Sequence, residues 1–178
     1  MNYRKSDPVG IDKVIDDIQK RIYDPLVSKW GTLDIYGRVY RKVDKNGSIN
    51  LERYVDGGDY EKVTYSEGNK IFFVQGKKVD TAFEVNTCDL WIVCVLDIQE
   101  IYKTNYRETE RARLDLCDEL YKVLDDDSMK GIEYGMSSLR SLVEDTLQIG
   151  NFKFTDIHPY HLMMVRTSVE YPANSIEC

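Results

Sequence analysis

The stretch CDLWIVCVLDI (Cys88–Ile98) is the feature that most constrains how this chain can fold. As an extended strand it carries apolar side chains on both faces, because Leu90 and Ile92 alternate with Trp91 and Val93. A strand that is apolar on both faces and rich in β-branched residues is typical of the centre of a sheet covered on each side. The sequence therefore predicts a central strand here.

An amphipathic helix is predicted directly after this strand, at about Arg107–Leu124. Its apolar residues recur at helical spacing and form one face that can cover the sheet. Asn105 with Glu108 three residues later indicates a capped start, and Thr104 is an alternative cap. The apolar positions are Leu116, Cys117, Leu120, Val123 and Leu124.

A second amphipathic helix is predicted to start at Asp7-Pro8, an acidic cap candidate followed by a proline at the first helical position. Pro25 is expected to end or kink this helix. Isoleucines follow at spacings of four, three and four and line one of its faces: Ile11, Ile15, Ile18 and Ile22. Core packing is the favoured interpretation of this stripe, and contact with a neighbouring subunit is the alternative.

Residues 44–70 differ in composition from the rest of the chain. They hold four of its eleven glycines, six acidic and four basic residues, and few aliphatic side chains. Such a segment cannot support a core of its own, so we expect a solvent-exposed loop or an extended hairpin arm. Tyr54, Tyr60 and Tyr65 would give an arm contact area at low entropic cost, which suits ordering by a partner. A mobile surface loop is the equal alternative.

The remaining elements complete an α+β pattern. Strands are predicted at Ile35–Val43, Ile71–Gln75 and His161–Tyr171, with a shorter helix containing Met136 and Val143. Gly76-Lys77-Lys78 is expected to turn the chain. We therefore predict one α+β domain over residues 1–178: an antiparallel sheet of about four to five strands, with the N-terminal helix and the main helix packed on one face and a protruding arm.

Composition and charge restrict the classes of function. The chain has 178 residues, 42% of them apolar, and a net charge of −7, which argues against a basic surface for nucleic acid or an anionic membrane. We see no signal peptide, and no apolar run approaches the roughly 20 residues needed to cross a bilayer. The four cysteines include no C-x-x-C pair, so free thiols in a reducing compartment are expected.

The sequence gives no sign of catalytic chemistry. It lacks the phosphate-binding glycine patterns and the G-x-S-x-G nucleophile motif. No lysine stands two residues after a carboxylate, as restriction-endonuclease-type nucleases require. His158 and His161 flank a proline, so we favour a surface loop over a zinc site. Cys94 and Cys117 lie at apolar positions and are expected to be inert core thiols. We therefore predict no enzyme, and no catalytic, cofactor-binding or metal-ligating residues.

The order of elements and several local strings match a known pattern. After the first helix comes Gly37-Arg38-Val39-Tyr40 at a strand entry, then the arm, CDLWIVCVLDI, the main helix and the alternating strand HLMMVRTSVEY. In this order the chain resembles the tail-terminator and head–tail connector ring proteins of tailed bacteriophages. Its acidic, tyrosine-rich composition is most similar to members from phages of Bacteroides-type hosts, including crAss-like phages. The stretch around residues 129–150 is longer than the usual connection of the family.

The resemblance implies a structural virion protein whose copies form a ring at the head–tail junction (the neck), with DNA passing through the lumen without specific binding. The implied partners are further copies of the chain and neighbouring portal, ring or tail proteins. Such a protein would be made in the host cytoplasm and would not contact a membrane. A ring subunit needs two different contact surfaces, for which the first helix and the arm are candidates. The candidate contact residues are Ile11, Ile15, Ile18, Ile22, Tyr54, Tyr60 and Tyr65. The alternative function is a small acidic binding or inhibitor module that acts as a monomer.

Overall fold

The computed structural model describes residues 1–43, 45, 49–55, 59–63, 68–103, 108–124, 126–147 and 160–173. These residues form seven strands and four α-helices. The strands are β1 (Asp34–Val43), β2 (Ile49–Tyr54), β3 (Tyr60–Lys62), β4 (Lys70–Ala82), β5 (Val85–Leu96), β6 (Met129–Tyr134) and β7 (His161–Pro172). The helices are α1 (Ile11–Trp30), α2 (Ile98–Tyr102), α3 (Thr109–Leu120) and α4 (Met136–Leu147).

The seven strands form one mixed sheet in the order β3-β2-β1-β4-β5-β7-β6. β1 and β4 run parallel, and the other neighbouring pairs are antiparallel. The predicted antiparallel sheet of four to five strands is therefore wrong. The chain adds β2 and β3 on one side of β1 and then crosses to the other side, where β4 runs in the same direction as β1. β3 and β6 were not predicted as strands, because they are short and rich in polar residues. They therefore lack the alternation of apolar and polar residues that marks a strand.

β5 is the central strand of the core, flanked by β4 and β7. Leu90 and Ile92 are wholly buried on one face of the sheet, and Val93 and Val95 are buried on the other. The predicted strand with two apolar faces is confirmed.

Helices cover both faces of this sheet. The face of Leu90 packs against α1 and α3, which also contact each other. The opposite face receives Leu139 and Leu142 of α4. In the part of the chain that the structure describes, no helix is both long enough and apolar enough to span a membrane.

α1 begins at Ile11, after Gly10, and runs through Pro25 to Trp30. Of the two outcomes expected at Pro25, an end of the helix is wrong. Leu26 and Trp30 are buried beyond the proline, so tertiary packing sustains the last turn although Pro25 lacks an N–H donor.

Most of the described part of residues 44–70 belongs to the sheet. β2 pairs with β1 from Val39↔Arg53 to Val43↔Ile49, and β3 pairs with β2. Leu51 is buried in the core on the α4 side of the sheet. The other residues of the expected arm lie outside the described residues, as do the proposed helix caps Thr104 and Asn105.

Candidate functional site

A long β4–β5 hairpin carries the least buried apolar side chain of the described residues. The first five residues of β4 are buried, whereas its last six are exposed. The strand passes through a bulge after Gln75, where a Cβ on Gly76 would lie 2.9 Å from the carbonyl oxygen of Asp89. The expectation that the chain turns at Gly76-Lys77-Lys78 is wrong, because β4 continues past these residues to Ala82. Only glycine allows the two backbones to approach this closely at the bulge. Residues 77–85 therefore form an exposed hairpin tip.

The turn of the hairpin tip consists of Phe83 and Glu84, both with positive φ (50° and 66°). Two-residue hairpin turns of this kind favour Asn-Gly, since left-handed backbone is strained for residues with a bulky side chain. The Phe83 side chain is 100% exposed. Neither local conformation nor core packing explains a phenylalanine at this position. Backbone strain that the fold maintains is a signature of functional sites.

Contacts around the turn hold it in place. The Thr81 hydroxyl donates to Oδ1 of Asn86 across the hairpin at 2.6 Å. The amide N–H of Ala173, just after β7, donates to the Glu84 carbonyl at 2.7 Å. Val79 and Val85 are 40% and 37% exposed, and the pairings Val79↔Cys88 and Ala82↔Val85 place them on opposite faces of the hairpin. The hairpin tip therefore presents an aromatic side chain on a fixed support.

An apolar cavity lies near the opposite end of β5. Its volume is about 570 Å³, and it reaches the surface beside Tyr134, whose side chain is half exposed. Buried Leu96, Ile98 and Ala112 line it, together with half-buried Thr109 at the start of α3. We call it the α3 cavity. β5 has twelve residues, so at about 3.3 Å per residue this cavity and Phe83 are about 40 Å apart.

A cluster of ionic groups joins α1 to β1. Lys5 Nζ donates to Oδ2 of buried Asp12 at 2.7 Å, and Arg38 Nε lies 3.0 Å from Asp12 Oδ1. The Tyr40 hydroxyl donates to Asp12 Oδ2 at 3.2 Å. Burial alone lowers the pKa of Lys5, but the hydrogen bond and charge of Asp12 outweigh it and the pKa is raised. The adjoining cavity is about 10 Å³, which is too small for a ligand. These opposite charges pair with one another, so we interpret the cluster as structural.

The candidate contact residues from the sequence lie mainly inside the fold. The four isoleucines of α1 are between 0% and 4% exposed and pack on the sheet of their own chain, so they offer no surface to a neighbour. Tyr54 is also buried and makes an edge-to-face contact with Tyr60, at a centroid distance of 5.7 Å. Tyr60 is 39% exposed, and Tyr65 lies outside the described residues. The four isoleucines are Ile11, Ile15, Ile18 and Ile22.

Phe83 does not stand out in the amino-acid sequence, for a physical reason. The turn lacks the Asn or Gly that marks a two-residue hairpin, so Phe83 reads as one more apolar residue in an alternating strand. Only the positive φ angles show that it stands at a turn.

The thiols have the expected character. Cys88, Cys94 and Cys117 are free and buried, and burial raises the pKa of all three, which favours the unreactive thiol form. Cys178 and His158 lie outside the described residues. Among the residues that are described, no three His, Cys, Asp or Glu side chains are grouped so that they could hold a metal ion.

Comparison with known proteins gives no match: no protein-family model, no curated protein and no solved structure is significantly similar to the chain.

Proposed function

We propose that this chain is a structural subunit that assembles with copies of itself into a ring. Following the resemblance in sequence pattern, we place the ring at the head–tail junction of a tailed phage virion, as a connector or tail terminator next to portal, ring or tail proteins. The observation that carries the assembly proposal is Phe83, fully exposed at a strained turn on a fixed hairpin.

The energetics of this side chain favour a role in binding. Full burial of a phenylalanine side chain is worth roughly 1.5–3 kcal/mol before the costs of association. In interfaces that carry hot spots, aromatic anchors that fill well-packed pockets contribute much of the binding energy. In the isolated chain, Phe83 gains none of this energy and its turn is strained. A bound state supplies the compensation.

The experiment compares assembly of wild-type protein with that of Phe83→Ala over a range of concentrations. We expect sedimentation velocity to show high-order species for the wild type, and electron micrographs to show rings with a central hole. Phe83→Ala should shift the population to monomers. Val9→Ala is the matched control, since Val9 is 63% exposed and lies outside the hairpin.

Two results would contradict this proposal. A wild-type chain that remains monomeric at every soluble concentration would favour the small acidic binding module. Assembly of Phe83→Ala equal to that of the wild type would remove the observation on which the proposal rests. The virion location has a separate check: genes beside the one that encodes this chain should encode portal and capsid proteins.

A further inference from the structure

Building on the proposed ring, we infer that its subunits join head to tail, with Phe83 of one copy inserted into the α3 cavity of the next copy. The two halves of this contact are different surfaces of the same chain: an aromatic side chain at the start of β5 and an apolar cavity near its end.

The cavity suits this occupant in size and chemistry. A cavity of about 150 Å³ lined by aliphatic side chains binds benzene, and the α3 cavity is about 570 Å³. It therefore has room for the phenyl ring of Phe83 and for part of the neighbouring Val85. Leu96, Ile98 and Ala112 supply an aliphatic wall, which matches an uncharged ring.

The positions of the two surfaces determine the kind of assembly. Because Phe83 and the cavity lie about 40 Å apart along β5, one chain cannot satisfy its own contact. Each copy uses its Phe83 on one neighbour and its cavity on another, which is a heterologous interface. Repetition of such an interface gives a closed ring when the rotation between copies closes, and a filament when it does not.

The area of the contact also favours a ring over an isolated dimer. Phe83 and the exposed part of Val85 present roughly 200–250 Å² on one side, hence about 400–500 Å² for both partners together. A stable pair of proteins buries about 1,200–2,000 Å². One such contact is therefore weak, whereas closing a ring adds a last contact within one assembly at high effective concentration.

A cysteine pair that keeps Phe83 in place tests the contact directly. The variant Glu84→Cys/Thr109→Cys puts one thiol beside Phe83 and one on the wall of the cavity. Within one chain these thiols are too far apart to bond, since a disulfide needs Cα atoms within about 7 Å. We expect mild oxidation to give a ladder of covalent multimers that ends at the subunit number of the ring. Cys178→Ser is included in every variant, and the other native cysteines are buried.

Single and triple variants are the matched controls for this ladder. Glu84→Cys or Thr109→Cys alone can form nothing longer than a dimer. Adding Phe83→Ala to the cysteine pair should abolish the ladder, since the thiols remain and the contact is lost. If the triple variant gives the same ladder, the thiols meet by collision and the inference is overturned.

A substitution that fills the cavity gives an independent test of the contact. Thr109→Trp extends from the first residue of α3 into the α3 cavity, and we expect it to lose assembly as completely as Phe83→Ala does. Leu114→Trp is its control and should assemble like the wild type, since Leu114 is 49% exposed on the same helix and does not line the cavity. Circular dichroism spectra that match the wild type show that each variant is folded.

The outcomes separate this inference from the proposed function. A wild type that assembles while the cysteine pair gives no ladder overturns the Phe83-to-cavity contact and leaves the ring in place. A wild type that is monomeric and a cysteine pair without a ladder overturn both. An α3 cavity that takes up a small apolar dye equally in monomers and in rings is not filled by Phe83, which also overturns the contact.

Discussion

Buried carboxylates show how single residues stabilise this fold. Asp16 on α1 is 3% exposed, with Arg4 Nε donating to its Oδ1 at 2.6 Å and Lys20 Nζ at 2.7 Å from its Oδ2. Burial by itself raises the pKa of Asp16, but the hydrogen bonds from Arg4 and Lys20 outweigh burial and lower it. A carboxylate with a lowered pKa stabilises the fold above its ordinary pKa, and this stability is lost as the pH falls through the lowered value.

Asp16→Asn tests this at the residue scale. We expect the substitution to lower the free energy of unfolding at pH 7 by about 1–3 kcal/mol, because it removes the charge that the two cations face. The deficit should shrink as the pH falls below 3.8, the ordinary pKa of an aspartate, because Asp16 of the unfolded wild-type chain then binds a proton that native Asp16, with its lowered pKa, does not. Urea unfolding at pH 7 and at pH 3 measures both effects.

Asp17→Asn is the control for this prediction, since the Asp17 side chain is 55% exposed beside the same helix turn. It should change the free energy of unfolding by less than about 0.5 kcal/mol. An equal loss in both variants would show that helix charge, and not the buried contacts, is responsible.

At the element scale, the β4–β5 hairpin combines a weak local sequence with strong tertiary support. Its turn residues, Phe83 and Glu84, contradict the preference for Asn-Gly. The hairpin nevertheless forms, because β4 and β5 pair along their length and β7 pairs with β5 as far as Val85↔Pro172. Local strain at a turn is maintained when the surrounding pairing determines the conformation.

Replacing each turn residue separates stability from assembly. Glu84→Gly relieves a strained φ, and we expect it to stabilise the fold by about 1 kcal/mol, or 2–4 °C in Tm, with assembly unchanged. Phe83→Asn should give a similar gain in Tm but lose assembly, because it removes the aromatic side chain. Thermal unfolding is measured at a concentration at which the wild type is monomeric, so that assembly does not add to Tm. Sedimentation velocity at higher concentrations measures assembly. A loss of Tm in Phe83→Asn would mean that the aromatic ring stabilises the isolated chain.

At the scale of the whole molecule, the net charge determines how strongly the protein repels DNA. Every copy carries a net charge of −7, so the ring proposed above would carry a strongly negative field. Phosphates are repelled by such a field, which is consistent with DNA that slides through a lumen.

The assembled protein should therefore not bind duplex DNA at physiological salt. Fluorescence anisotropy of a labelled duplex, titrated with wild-type protein, is expected to stay constant. An anisotropy that rises at low salt and falls as salt increases would show a basic surface on the ring. The Phe83→Ala variant, tested in parallel, shows whether such binding depends on assembly.

The sequence alone determined the elements whose pattern is regular. The two apolar faces of Cys88–Ile98 predicted β5 as an interior strand covered on both faces, and helical spacing identified α1 and α3, because burial imposes periods of 2 and 3.6 residues on the chain. It also favoured core packing for Ile11 and its neighbours in the stripe, which is where they lie.

Only the tertiary structure decided what depends on contacts distant in the chain. Three features have no signature in the local sequence: the parallel pairing of β1 with β4, the short strand β6 and the exposure of Phe83. Tyr54 illustrates the opposite error, since its surroundings in the sequence are polar but the sheet buries it. Periodicity reports whether a residue faces a core, whereas strand order and a protruding aromatic side chain follow from how the elements meet.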